Sequence, residues 1–324
     1  MKSEVLKLEP NNATLTTFIH DDDQIRKAVL VFPGGAYRYC APGEGKPVAN
    51  AFYEAGFNTF VLEYSCTDGQ FGSPKVDIEE VFDAALEDAM SAYCFIQDNR
   101  DRFKLFEDKI SIIGFSAGAH LALSSVLLGK LRPLCIMLGY VPVTDEMMKP
   151  LGMKELNLLN NIPEDMPPVF MFLNQADSLV SSSESIKLAL ALSEKKLPYE
   201  LHCYVTGDHG LSLGTEASGT VNIDYATWFN HALRFIENIQ SPYPLIMGDI
   251  GEDLNNLSIN SRIGALMYHE KAWKLIEDLF PDVAFKAKTD TYLRSKPLQR
   301  IYQWGMVSSP DIEQLDKMLK EIEG

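Results

Sequence analysis

A chain of 324 residues is long enough to bury the core of one large domain with a small second unit beside it. Its 46% hydrophobic and 23% charged residues match a globular protein, and its net charge of −16 makes the surface repel phosphate backbones and anionic lipid. Nucleic acid and membrane surfaces are thereby not expected as partners; a small-molecule substrate is expected from the residues of the loops, and the charge itself serves solubility.

The first residues, MKSEVLKLEPNNATLTTF, lack the apolar core of a signal peptide, and no run approaches the ~18 apolar residues of a membrane span. A cytoplasmic protein is expected. The five cysteines, Cys40, Cys66, Cys94, Cys135 and Cys203, are odd in number and form no C-x-x-C pair. Cys94, Cys135 and Cys203 fall in apolar runs and read as small buried hydrophobes of a reducing compartment. No spacing calls for a metal or an organic cofactor.

In chain order, EVLKLE and ATLTTFIH pattern as an antiparallel pair at a sheet edge. KAVLVF (Lys27 to Phe32) reads as a buried strand, GKPVANAFYEAGF as a helix, and NTFVLEY (Asn58 to Tyr64) as the next strand. A loop with Gly69, Gly72 and Pro74 leads to a long amphipathic helix carrying Ile78, Phe82, Leu86, Ala89, Tyr93 and Ile96 on one face. KISIIGFSAGAHLALSS is strand, tight turn, helix; LCIMLGY, PPVFMFLN and YELHCYV are further strands, with helices Ser183 to Lys195 and Tyr225 to Ile239. This alternation predicts an α/β fold, a mostly parallel doubly wound sheet flanked by helices, over residues 1–240. Residues 241–256 read as a linker rich in Pro, Gly, Asp and Asn. Residues 257–324 read as a small helical C-terminal module, with Ile312, Leu315, Leu319 and Ile322 on one stripe. So small a module is marginal alone, so docking on the main domain or assembly into a homo-oligomer is expected.

The chemistry is concentrated in the loops after the strands. In Gly114-Phe115-Ser116-Ala117-Gly118, glycines two before and two after the serine remove Cβ groups that would collide where a strand turns sharply into a helix. A hydroxyl there needs a base, and of the six histidines His209 sits in a Gly-flanked turn after the last strand, VTGDHGLSLG. The imidazole needs a carboxylate on its other nitrogen, and Asp177, in the loop after PPVFMFLN, is the leading candidate. Asp145 and Asp208 compete for that role. An oxyanion hole is expected from the amides of Gly35 and Ala36, after LVFPG, with that of Ala117.

FPGGAY, EGKPVANAFYEAGFNTFVLEY, GFSAGAHLA, PPVFMFLNQAD and GDHGLSLG together resemble the α/β-hydrolase superfamily, in its acetyl-esterase/lipase branch, over about residues 27–240. The resemblance implies Ser116 as nucleophile, His209 as base, Asp177 as its acid and the three amides as oxyanion donors. Three departures stand out: Ala36 replaces a third loop glycine, Ala119 a second elbow glycine, and NQAD the more usual H-G-x-D.

The expected function is a serine carboxylesterase for short acyl esters, acetylated sugars included, working through an acyl-enzyme. An amidase, formamidase or small-peptide hydrolase of the same fold, or a non-catalytic binding module, are the alternatives. Tyr37, Tyr39 and Leu211 are expected to line the substrate pocket, and so is the Met-rich segment Thr144 to Asp165.

Overall fold

The computed structural model describes residues 1–67, 78–149, 157–239, 257–288, 290–294, 296–303 and 312–322. The loop at 69–74, the linker at 241–256 and the middle of the Met-rich segment lie outside them. The chain divides into two compact units, Met1–Ile236 and Glu237–Gly324.

The first unit is built on one eight-stranded sheet: β1 (Val5–Leu8), β2 (Ala13–Phe18), β3 (Arg26–Phe32), β4 (Asn58–Glu63), β5 (Leu105–Phe115), β6 (Ile136–Gly139), β7 (Val169–Asn174) and β8 (Tyr199–Tyr204). The spatial order is β1-β2-β4-β3-β5-β6-β7-β8. β1 and β2 pair antiparallel, β2 pairs antiparallel with β4, and every pairing from β4 to β8 is parallel. Parallel strands need crossovers, and the helices that supply them bury the sheet from both faces. They are α1 (Lys46–Glu54), α2 (Ile78–Asp98), α3 (Ala117–Leu127), α4 (Asp145–Met148), α5 (Ser183–Glu194), α6 (Ile223–Ala226) and α7 (Trp228–Asn238). The central strands accordingly read as continuous apolar runs: Ala28 to Phe32 in β3 and Val169 to Phe172 in β7 are fully buried. The expected mostly parallel sheet with an antiparallel edge pair is what forms.

Two cysteine expectations fail for positional reasons. Cys203 is exposed because β8 is the last strand of the sheet and only partly covered. Cys94 is exposed on α2; only Cys135 is a buried small hydrophobe. Cys40 packs beneath the loop after β3, its Sγ 3.8 Å from that of Cys66.

The second unit is helical: α8 (Ile263–Tyr268), α9 (Glu270–Leu279), α10 (Pro281–Ala287), α11 (Thr291–Arg294), α12 (Leu298–Gln303) and α13 (Ile312–Lys320). The helical run breaks between α8 and α9 at His269, whose ring accepts the Ala272 amide as the N-cap of α9. Leu266, Ile276, Val283, Leu298, Ile301, Leu315 and Leu319 form its core, so the predicted stripe on α13 is the buried one. No helix among the described residues is long and apolar enough to cross a membrane.

Candidate active site

The loops that follow β3, β5, β7 and β8 meet at the carboxyl ends of the strands, where open α/β sheets place their ligands. β5 ends at Phe115, and Ser116 takes φ 51°, ψ −119°, a backbone conformation costly for a residue with a side chain. Two glycines make that turn feasible. A Cβ on Gly114 would lie 2.1 Å from the Gly118 carbonyl oxygen, and one on Gly118 would lie 2.1 Å from that of Phe32. α3 begins at the next residue, so Ser116 stands at its N-terminus with its hydroxyl clear of the helix.

His209 Nε2 lies 2.9 Å from Ser116 Oγ, and His209 Nδ1 lies 2.8 Å from Asp177 Oδ2. A carboxylate only accepts, so Nδ1 carries the ring proton and Nε2 is left to accept from the serine hydroxyl. Asp177 is itself fixed, since its Oδ1 accepts the amides of Leu179 at 2.9 Å and Val180 at 2.8 Å. Its side chain is only 1% exposed, which keeps this interaction out of water. Neither competing acid meets the His209 ring. Asp208 Oδ1 accepts from the Ser178 amide and hydroxyl and from the His209 amide, each at 2.8 Å. Those bonds, first the one from the Ser178 amide, pull its carboxyl down to about 2, so it clamps the base loop to the acid loop. Asp145 begins α4.

The remaining histidines are placed elsewhere. His20 bonds Asn58, His202 stacks on His231 at 4.5 Å between centroids, and His269 is a helix cap in the second unit. His120 is fully buried, its Nδ1 2.8 Å from the Tyr37 hydroxyl, and burial pulls its imidazole down to about 3.

Across from the serine, the chain leaves β3 through Pro33 and Gly34 into Gly35 (φ 125°), Ala36 (φ 54°) and Tyr37 (φ 57°). Only glycine fits at 35, where a Cβ would lie 1.9 Å from the Tyr39 carbonyl oxygen. Ala36 and Tyr37 hold left-handed backbone despite their side chains, so Ala36, which departs from the usual glycine, is strained but tolerated. Among the described residues the amides of Gly35, Ala36 and Ala117 have no hydrogen-bond acceptor within the chain. They are free to donate to a bound oxygen.

A cleft of ≈ 300 Å³ joins these parts, walled by Gly35, Ala36, Tyr39, Ser116, Leu179 and His209 and floored by Glu44 and Ser212. Tyr39 lines it as expected. Tyr37 and Leu211 do not. Tyr37 is fully buried because the left-handed turn swings its ring away from the cleft onto Phe82 and His120. Leu211 turns back onto Gly207, and its neighbours Gly210 and Ser212 face the cleft instead. Within the Met-rich segment, Met148 and Leu158 are buried in the core, which makes its described ends packing and not pocket.

Glu44 was not among the expected residues. It is 5% exposed, its Oε2 accepts the Gly34 amide at 2.7 Å, and its Oε1 accepts the Tyr140 hydroxyl. Burial pushes its carboxyl above the ordinary range, although the Tyr140 and Gly34 hydrogen bonds and the His209 charge pull it down. One clue in the sequence was a lone carboxylate between glycines in PGEG, ten residues past Gly34. Among the described residues no group of three or more His, Cys, Asp or Glu is placed to hold a metal ion.

Known proteins are similar to this chain in sequence and fold. The BD-FAE family model matches residues 20–135. Endo-1,4-beta-xylanase B of Butyrivibrio fibrisolvens is 31% identical over 231 residues, which are 62% of this chain and 35% of that protein. The chain therefore spans about a third of that relative's length. An α/β-hydrolase enzyme from a Medee basin deep-sea metagenome library is 30% identical with a TM-score of 0.61, over 73% of this chain and 98% of that one. An acetyl ester-xyloside bifunctional hydrolase from Caldicellulosiruptor lactoaceticus is 27% identical with a TM-score of 0.60, over 71% of this chain and 89% of its own.

Proposed function

The chain belongs to the α/β-hydrolase family, and on that premise we propose that it is a serine carboxylesterase for short acyl esters, with acetylated sugars as its natural substrate class. The observation that carries this reading is the unbroken contact from Ser116 through His209 to Asp177 beside three unpartnered amides in a small cleft.

In this mechanism Ser116 Oγ attacks the ester carbonyl carbon while its proton passes to His209 Nε2. Asp177 stabilises the imidazolium that results, because its buried carboxylate faces the protonated Nδ1. The carbonyl oxygen becomes negative and takes hydrogen bonds from the amides of Gly35, Ala36 and Ala117, which require no reorganisation to receive it. The C–O bond to the alcohol breaks, the leaving oxygen takes the proton from His209, and water repeats the sequence on the acyl-enzyme. A volume of ≈ 300 Å³, with Tyr39 and Leu179 at its edges, favours an acetyl-sized acyl group over a fatty one. Ser218, partly exposed in its wall, suits a hydroxylated leaving group. The names of two relatives, a xylanase and an acetyl ester-xyloside hydrolase, support acetylated xylo-oligosaccharides as the first sugars to offer.

The test is a ladder of p-nitrophenyl esters from acetate to decanoate, with an acetylated xylo-oligosaccharide and a p-nitroanilide in parallel, on the wild type and Ser116→Ala. Turnover highest at two to four carbons and at least ~10³-fold lower in the variant is expected. Anilide turnover exceeding ester turnover would replace the esterase by an amidase, and no turnover by a folded protein would leave a binding scaffold.

A further inference from the structure

Glu44 is the buried ionisable group at this cleft that the mechanism leaves unused. It sits in a closed circuit of hydrogen bonds. The Gly34 amide and the Tyr140 hydroxyl both donate to its carboxyl; the Tyr140 oxygen accepts the Ser212 amide at 3.2 Å; the Ser212 hydroxyl donates to the Gly43 carbonyl at 2.7 Å, next to Glu44 itself. The circuit joins three segments that local sequence does not hold together. They are the oxyanion loop after β3, the end of β6 at Tyr140, and the loop after β8 that carries His209. Tyr140 and Ser212 have φ of 39° and 51°, so the circuit also retains two strained residues beside the base.

A carboxyl is an expensive way to fill space, because burying it costs far more than burying an isosteric apolar group unless its partners are in place. What it does here follows from where Gly34 lies. A Cβ at Gly34 would be 2.6 Å from Glu44 Oε2, 2.7 Å from the Phe115 carbonyl oxygen and 3.0 Å from Ser116 Cβ, so Gly34 is pressed against both the Glu44 carboxyl and the nucleophile turn. No side chain fits between these groups, so the seat of the loop beside Ser116 depends on the hydrogen bond by which Glu44 holds the Gly34 amide.

We propose that Glu44 is a positioning residue of the oxyanion hole: its carboxyl, bridging Gly34 and Tyr140, fixes the adjoining Gly35 and Ala36 amides relative to Ser116 and His209. The proposal rests on the esterase reading above. Both carboxyl oxygens are already engaged, so Glu44 acts through the loop and does not bind substrate itself.

Glu44→Ala, Glu44→Gln, Tyr140→Phe and the Glu44→Gln/Tyr140→Phe double variant test it. Two rates are measured: steady-state turnover of p-nitrophenyl acetate, and phosphonylation of Ser116 by a fluorophosphonate, followed by intact mass. The phosphoryl oxygen of that reagent uses the same amides. Glu44→Ala is expected to lower kcat about 100-fold with KM within about 3-fold, and to slow phosphonylation in parallel. Glu44→Gln, which keeps one acceptor, and Tyr140→Phe are each expected to lose about 10-fold, and the double variant little more than either, since both open one circuit. A kcat within about 2-fold of wild type in Glu44→Ala, or a loss confined to KM, overturns the proposal. Should that variant fail to fold, the Gln and Phe variants decide by the same criteria. If the wild type turns over no ester, the esterase reading falls while the phosphonylation rates still judge Glu44. A wild type that is neither active nor phosphonylated overturns both.

Discussion

The two sides of the cleft are held in place by different means. On the Ser116 side, the turn from β5 to α3 is a local construction: Gly114, Ser116 and Gly118 lie within five residues, and the clearances the glycines provide are to their own turn and to the end of the neighbouring β3. Across the cleft, the loop after β3 is held by side chains from distant parts of the chain. Tyr64 donates its hydroxyl to the Pro33 carbonyl at 2.6 Å, His120 meets the Tyr37 hydroxyl, and Glu44 links Gly34 to Tyr140. A backbone turn can be specified by small residues at fixed spacing, whereas the position of one loop over another needs partners from elsewhere.

The largest expected effect breaks the relay between the sides. Asp177→Asn leaves a side chain of the same shape but removes the fixed acceptor for His209 Nδ1, and kcat should fall about 10⁴-fold with little change in Tm. Next comes the local side alone. Gly118→Ala drives a Cβ into the Phe32 carbonyl, and urea unfolding should show a loss of about 3 kcal/mol or more, or no soluble protein.

The non-local side is probed by pH. Burial depresses the His120 imidazole to about 3 from 6.5, so between these values the unfolded chain binds more protons than the folded one. Its contribution is complete above pH 6.5 and is lost as pH falls toward 3, at about 1.4 kcal/mol per pH unit. Between pH 7 and 5 the wild type should lose about 2 kcal/mol through this group, and His120→Gln, which keeps an acceptor for Tyr37, should remove that part of the slope in urea titrations. The smallest effect separates the two acids. In Asp208→Asn the amide oxygen still accepts from Ser178 and from the His209 amide, and kcat should stay within about 3-fold of wild type. A loss as large as that of Asp177→Asn would mean that the charge on Asp208 also serves the base.

The alternation of apolar runs with amphipathic helices was enough to read the parallel sheet, because each buried strand carries its own pattern. Ser116, His209 and Asp177 could be singled out for a similar reason: each lies in a loop that directly follows a recognisable strand, and the sheet brings those loops to one edge. Cys203 misled because an apolar strand at the edge of a sheet looks the same in sequence as one inside it. Tyr37 misled because its left-handed backbone reverses where the ring points, and nothing about a tyrosine after Ala36 announces that conformation.

By itself, then, the sequence determined the order of strands and helices of the sheet, the tight turn at Ser116 and the chain order of Ser116, Asp177 and His209, all of which depend on neighbours a few residues apart. Which residue lines the cleft, and what holds the loop after β3, only the tertiary structure decided. Glu44, Tyr140 and Ser212 are 96 and 72 residues apart along the chain and become hydrogen-bond partners only when β3, β6 and the loop after β8 converge. A buried carboxyl and a phenol carry no local pattern that pairs them, because their pairing is a property of the folded sheet.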